Sequence, residues 1–223
     1  MDFMKWISSL DELLYEVTSW LLFFPLTLLR AFVHPIESMG YAERQLALPE
    51  TEQYSAALSP PLFLTLALLI THGISAALGH VDTIVANRHG MASLIDDASS
   101  ELVLRLIVFA AFPLFAAARM VRRSDIPLDR VTLRLPFYSQ CYPTAIFALG
   151  LGIGASLIAM TYPPAILGGL ILIIATIVNY VVLETRWFAA KLGIGYIRAF
   201  GTVMLVFIEG TALLMLVSFL LTR

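Results

Sequence analysis

Three ionisable residues stand inside otherwise apolar runs: His72, Arg105 and Glu209. A charge at the centre of a membrane helix costs roughly 2.5 to 3.5 kcal/mol on insertion scales, so each of these asks for a partner or a role. His72 and Glu209 each lie eleven residues into runs that begin on the same side, about 16 Å of helical rise, which puts them at nearly equal depth. Arg105 lies roughly 6 Å below the opposite side by the same rise, free to snorkel outward or to turn toward Glu209. Two chemistries fit. One is a buried His72, Arg105 and Glu209 cluster that binds a proton or a polar group of a substrate. The other is a set of residues that neutralise and hydrogen-bond one another to fix helix packing.

Other polar residues in these runs have plainer readings. Asn179 suits an interhelical hydrogen bond, with a role in a site as the alternative. Gly150, Gly152 and Gly154, with Gly168 and Gly169, place small residues where helices approach closely. No phosphate loop is implied, because a strand and an amphipathic helix are missing around Gly150-x-Gly152-x-Gly154. Catalytic signatures are absent: there is no Gly-x-Ser-x-Gly elbow and no His-Glu-x-x-His, so no enzyme and no cofactor are expected. His34, His72, His80 and His89 are too scattered for a metal cluster, with His80, Asp82 and His89 a weak candidate at most. Arg119, Arg122, Arg123, Arg130 and Arg134 crowd one short stretch. They serve to orient the chain, and contact with anionic lipid headgroups is a second reading, at roughly 1 kcal/mol per basic residue.

The elements that must carry these residues follow from composition. Of 223 residues 59% are hydrophobic and 13% charged, against roughly 25% charged in a soluble domain. The missing polar surface implies lipid as the solvent. A net charge of −2 excludes the concentrated basic surface that a nucleic-acid partner needs. The lone Cys141 excludes an internal disulfide. Crossing about 30 Å of hydrocarbon takes about 20 apolar residues, and five segments have that length: Pro61 to His80, Glu101 to Arg119, Gln140 to Met160, Pro163 to Glu184 and Arg198 to Leu221. Backbone groups in lipid must be satisfied within the segment, so each span is helical. The fold class is therefore all-α, a polytopic helical bundle of about five spans.

Basic residues in short loops stay cytoplasmic, which places the Arg119–Arg134 stretch and the Arg186, Lys191, Arg198 stretch inside. The N-terminus is then cytoplasmic and the C-terminus exoplasmic, in an inner, cytoplasmic membrane. Residues 1–35 form an N-terminal amphipathic, interfacial or re-entrant helix, because the fully apolar part is short for a span and contains Pro25. The acidic start lacks a cleavage site and reads as part of the mature chain. Residues 36–59 read as a polar cytoplasmic connector, and 60–223 as the five-span domain. No internal repeat is apparent.

Three stretches carry a family resemblance: Ser59-Pro60-Pro61-Leu62-Phe63 at the start of the first span, Pro136-Phe137-Tyr138-Ser139-Gln140-Cys141-Tyr142-Pro143 opening the third, and the Trp187 to Ala199 connector before the last. The layout over residues 55–221 resembles the Yip-domain family of small five-span proteins, which includes permease-like bacterial members. The resemblance implies a cytoplasmic N-terminus and a role in membrane organisation, trafficking or transport, and it transfers no site residues. The expected function is a permease-like or membrane-organising component. A proton- or ion-coupled transporter using His72 and Glu209, and a scaffold of a membrane complex, are the alternatives. The expected partners are the lipid bilayer and either another membrane protein or a second copy of the chain.

Overall fold

A computed structural model describes residues 2–78, 98–124 and 126–222. Among them every regular element is a helix: α1 (Asp2–Val33), α2 (Pro35–Leu46), a 3-10 turn (Glu50–Glu52), α3 (Pro60–Ala77), α4 (Ala98–Arg123), α5 (Arg130–Ile158), α6 (Pro163–Leu192) and α7 (Tyr196–Thr222). By length and composition six of these are apolar enough to cross a bilayer, one more than the five segments expected. The additional one is α1, whose stretch Asp11–Val33 qualifies because the helix runs unbroken through Pro25. That proline removes only the bond to the Leu21 carbonyl, which a helix in apolar surroundings tolerates.

Local chemistry sets the helix ends. Pro60 and Pro163 open α3 and α6, where the missing N–H has no intrahelical partner to lose. α5 starts ten residues before the expected Gln140 because Asp129 caps it. Its Oδ1 accepts from the Val131 and Thr132 N–H groups at 2.8 Å each, and Thr132 Oγ1 accepts from the Asp129 N–H at 3.1 Å. α6 continues two turns past Glu184, ending at Gly193 in the left-handed region (φ 61°), where the Ile194 N–H reaches back to the Ala189 carbonyl at 3.2 Å.

α5 is the central post: α3, α4, α6 and α2 all pack on it, while α7 packs on α6 and α4. The α5–α6 hairpin closes by backbone approach, since a Cβ on Gly169 would lie 2.6 Å from the Gly154 carbonyl oxygen. Gly150 faces Thr176 and Gly152 faces Thr71 in the same way, whereas Gly168 faces open space. Aromatic rings fill the rest: Phe147 stacks on Tyr180 at 4.6 Å, and Phe112 meets Phe147 at 5.6 Å.

α1 meets this bundle obliquely. Trp20 and Phe23 lie with Ser59, Leu62 and Tyr138, where α3 and α5 begin, and Phe24 packs on Phe63 at 5.3 Å. Thr27 Oγ1 accepts the Leu58 N–H at 3.1 Å. Further along, Ala31 and Phe32 reach Phe147 and Ala175, halfway along α5 and α6. The chain reverses at His34 and Pro35, and α2 returns with Met39 beside Trp187 and Glu43 paired with Lys191 at the end of α6. Residues 36–59, read as a connector, thus hold a helix with Ser38, Met39 and Ala42 buried, closed off by Tyr54. Tyr54 sits at φ 57°, held by its N–H to Gln45 Oε1 (2.6 Å) and its hydroxyl to the Ala42 carbonyl (3.3 Å). Burial and the neighbouring Tyr138 raise its hydroxyl above the usual tyrosine range.

Candidate functional site

α5 and α6 face one another in a single antiparallel register, set by Gly154 against Gly169 and Gly150 against Thr176. The same register brings Thr144 opposite Tyr180 and Gln140 opposite Glu184, each pair one helical turn from the next. All four side chains are buried: Gln140 and Thr144 are fully enclosed, Glu184 is 1% and Tyr180 2% exposed. Thr144 satisfies itself on the Gln140 backbone carbonyl at 2.8 Å. By contrast, both side-chain atoms of the Gln140 amide, both carboxylate oxygens of Glu184, the Tyr180 hydroxyl and the Trp187 indole N–H lack a well-formed hydrogen bond among the described residues. The Gln140 amide lies beside the Glu184 carboxyl without the geometry of a full bond.

A cleft of about 270 Å³ adjoins this cluster, bounded by Phe32 and Pro35, by Pro143 and Phe147 of α5, and by Asn179 and Tyr180 of α6. Tyr180 is the hinge of the arrangement, since it lines the cleft and its other side abuts Glu184. Pro143 frees the Ser139 carbonyl on the same stretch of α5. Tyr180 and Asn179 therefore present a phenol and an amide to this largely apolar cleft, and the Glu184 carboxyl and Gln140 amide lie enclosed beside Tyr180, outside the cleft lining. That donor and acceptor set matches a small polar or cationic solute, or a proton held on the carboxyl.

The residues singled out from sequence are distributed otherwise. Glu209 is joined to Arg119, not to Arg105: Arg119 Nε donates to Glu209 Oε2 at 3.2 Å and its Nη2 to Oε1, a bidentate fork. Arg105 is fourteen residues from Arg119 on α4, about 21 Å of rise, so one carboxylate cannot serve both. His72 is half-buried on α3, across the central α5 from α7. Asn179 is exposed at the cleft. Arg122, Arg123 and Arg130 are exposed at helix ends, and the Arg134 guanidinium lies 5.6 Å over the Tyr138 ring. Among the described residues no three His, Cys, Asp or Glu side chains gather as a metal-ligand set, and the candidate His80, Asp82 and His89 lies outside the described residues.

Glu184 escaped the sequence reading because it falls at the expected end of a span, next to Arg186, where a carboxylate needs no explanation. The usable signal was register. A hairpin turn of a few residues around Tyr162 fixes which positions of α5 and α6 face each other, and that register sets Gln140 opposite Glu184. Set against known proteins, the chain matches no family model, no curated protein and no solved structure.

Proposed function

We propose that this chain is a permease-like integral membrane protein that binds a small polar or cationic solute at the Gln140, Tyr180 and Glu184 cluster. Six helices apolar and long enough to cross are compatible with an integral membrane protein. The observation that carries the finer reading is the facing of Gln140 and Glu184, both enclosed and both short of well-formed hydrogen bonds among the described residues, with Tyr180 between Glu184 and a cleft. An unpaired buried polar group costs about 1–3 kcal/mol, and a buried carboxylate without a cation costs more. A core carrying several such groups gives up stability that plain leucines would supply, the pattern of a site with another use. No chemical transformation is part of this reading.

The orientation we propose places the ends bearing Arg122, Arg123, Arg130 and Lys191 in the cytoplasm, by the distribution of basic residues. Two observations support a re-entrant α1–α2 hairpin entering from that side: the Phe24–Phe63 and Thr27–Leu58 contacts of α1 lie at the start of α3, and α2 returns to Lys191. A Yip-like layout, with both features on the cytoplasmic face of an inner membrane, is part of the same proposal.

The test is solute uptake into proteoliposomes together with binding by the detergent-purified chain, for the wild type and Glu184→Gln. The proposal expects a polar or cationic solute that raises the melting midpoint of the wild type and is taken up by it. Glu184→Gln should fold and lose both effects. A scaffold reading is favoured instead if a broad panel of small cations and neutral polar solutes shifts neither protein.

A further inference from the structure

A second site is built where α4 and α7 run side by side. The helices are antiparallel there, with Gly210 leaving room for the Phe112 ring and Phe207 6.4 Å from it, and Ala116 and Met120 packed with Ala199 and Val203. A groove of about 670 Å³ follows their outer face. Its walls are apolar, from Phe115, Ala118, Ala212, Leu213 and Leu216. From the Phe112–Gly210 crossing it extends roughly 16 Å along α4 toward Arg123 and about 9 Å along α7 toward Leu216. That length exceeds one leaflet, which is about half of a 30 Å hydrocarbon core.

Charge is confined to one end. Arg122 and Arg123 are exposed at the close of α4, and both line the groove with Arg119. Among the described residues the single acid in the groove, Glu209, is taken up by the Arg119 fork. Two guanidinium groups are left to face whatever lies at the headgroup level. A guanidinium presents donors in a fork that matches phosphate oxygens, and an apolar channel of this length continues from it.

We propose that the α4–α7 groove is a binding site for one anionic phospholipid, with its phosphate on Arg122 and Arg123 and an acyl chain along Phe115, Leu213 and Leu216. The Arg119–Glu209 pair lies between headgroup and chain. By neutralising Glu209 it removes a charge that would repel the lipid, so this pair is a positioning element for the site and makes no contact with the phosphate.

The test is native mass spectrometry of the delipidated, detergent-purified full chain titrated with phosphatidylglycerol, with phosphatidylcholine and with inorganic phosphate. Phosphatidylglycerol should bind at least tenfold more tightly than phosphatidylcholine, and millimolar inorganic phosphate should not displace it. The double variant Arg122→Ala/Arg123→Ala should lose at least fivefold in phosphatidylglycerol affinity, while Arg130→Ala/Arg134→Ala, equal in charge but outside the groove, changes it less than twofold. Leu213→Trp, which fills the channel and keeps every charge, should weaken binding at least threefold, and it answers the question even if the arginine variant does not fold. Equal losses in the two arginine variants, displacement by inorganic phosphate, or an unchanged affinity in Leu213→Trp would each overturn the proposal.

Discussion

Arg119 and Glu209 close a bidentate ion pair between α4 and α7, with the two side chains 25% and 45% exposed at the surface of the helix bundle. The worth of that pair depends on what it is exposed to. In water such a pair contributes about 0–1 kcal/mol, because solvent screens it and two long side chains lose freedom. In lipid each member without the other is an unpaired charge that costs several kcal/mol to keep. In a double-mutant cycle of Arg119→Gln and Glu209→Gln, followed by reversible denaturation in mixed micelles, we expect a coupling energy above about 1 kcal/mol, within the range for contacting residues. A coupling below that value would place the pair in water and α7 shallower than its apolar length implies.

The facing of Gln140 and Glu184 makes an opposite prediction. Both side chains are enclosed, and neither is well bonded among the described residues. Replacing both by apolar residues of similar volume removes desolvated groups without opening a cavity. Gln140→Leu/Glu184→Leu should therefore raise stability by about 1–4 kcal/mol, read as a higher melting midpoint in detergent, while abolishing any solute binding. A large loss of stability in the double variant would mean that these groups are bonded in a way that holds α5 to α6.

The α5–α6 contact separates two adjacent glycines. A Cβ on Gly169 would sit 2.6 Å from the Gly154 carbonyl oxygen, a backbone atom that cannot swing aside, whereas Gly168 has no neighbour within 4 Å. Gly169→Ala should cost about 1–3 kcal/mol by overpacking. Gly168→Ala should be neutral or stabilising by up to about 1 kcal/mol through helix propensity. Paired melts of the two variants check this, and equal effects would contradict the hairpin register on which the Gln140–Glu184 facing rests.

Asp129 governs the start of α5 by pH. Hydrogen bonds from the backbone N–H groups of Thr132 and Val131 hold its carboxyl below the usual carboxylate range. A group depressed in the folded state contributes stability at pH values above its unfolded pKa of about 3.9, and that contribution is lost as pH falls through the folded value. Amide exchange of the first turn of α5 should thus speed up below about pH 4 in the wild type relative to its intrinsic rate. In Asp129→Ala it should be fast at every pH, with little further change on acidification.

Much of this architecture was legible because apolar runs of this length leave few options other than helices. Pro60 and Pro163 mark helix starts, since a missing N–H carries its cost anywhere in the fold. What sequence could not deliver was pairing. Glu209 found Arg119 because an arginine arm reaches back along its helix by a distance that span limits do not encode. Glu184 became buried because α6 runs on to Gly193 and α2 packs below it, both consequences of tertiary contact. Pro25 leaves α1 unbroken for a related reason, as helix-breaking strength is measured in water and α1 lies against Phe63 and Leu58.

The path of α1 decides the topology, and the lone cysteine makes it easy to follow. Cys141 is fully enclosed, so a membrane-impermeant maleimide leaves the native chain unlabelled while folded. Asp11→Cys and Ser124→Cys then report one position each, at exposed sites on α1 and beyond α4. If α1 dips from the side where α3 begins and α2 returns there, both cysteines lie on the cytoplasmic face. Both should react in inside-out vesicles and resist the reagent in intact spheroplasts. If α1 crosses, Asp11→Cys alone reacts in spheroplasts. The contacts favour the first pattern: a crossing α1 would run beside the middle of α3, yet its bonded and stacked partners there, Leu58 and Phe63, sit at the start of that helix. Labelling of Asp11→Cys from outside would sink the re-entrant hairpin and put the N-terminus on the exoplasmic side, and it would leave the Gln140–Glu184 site untouched.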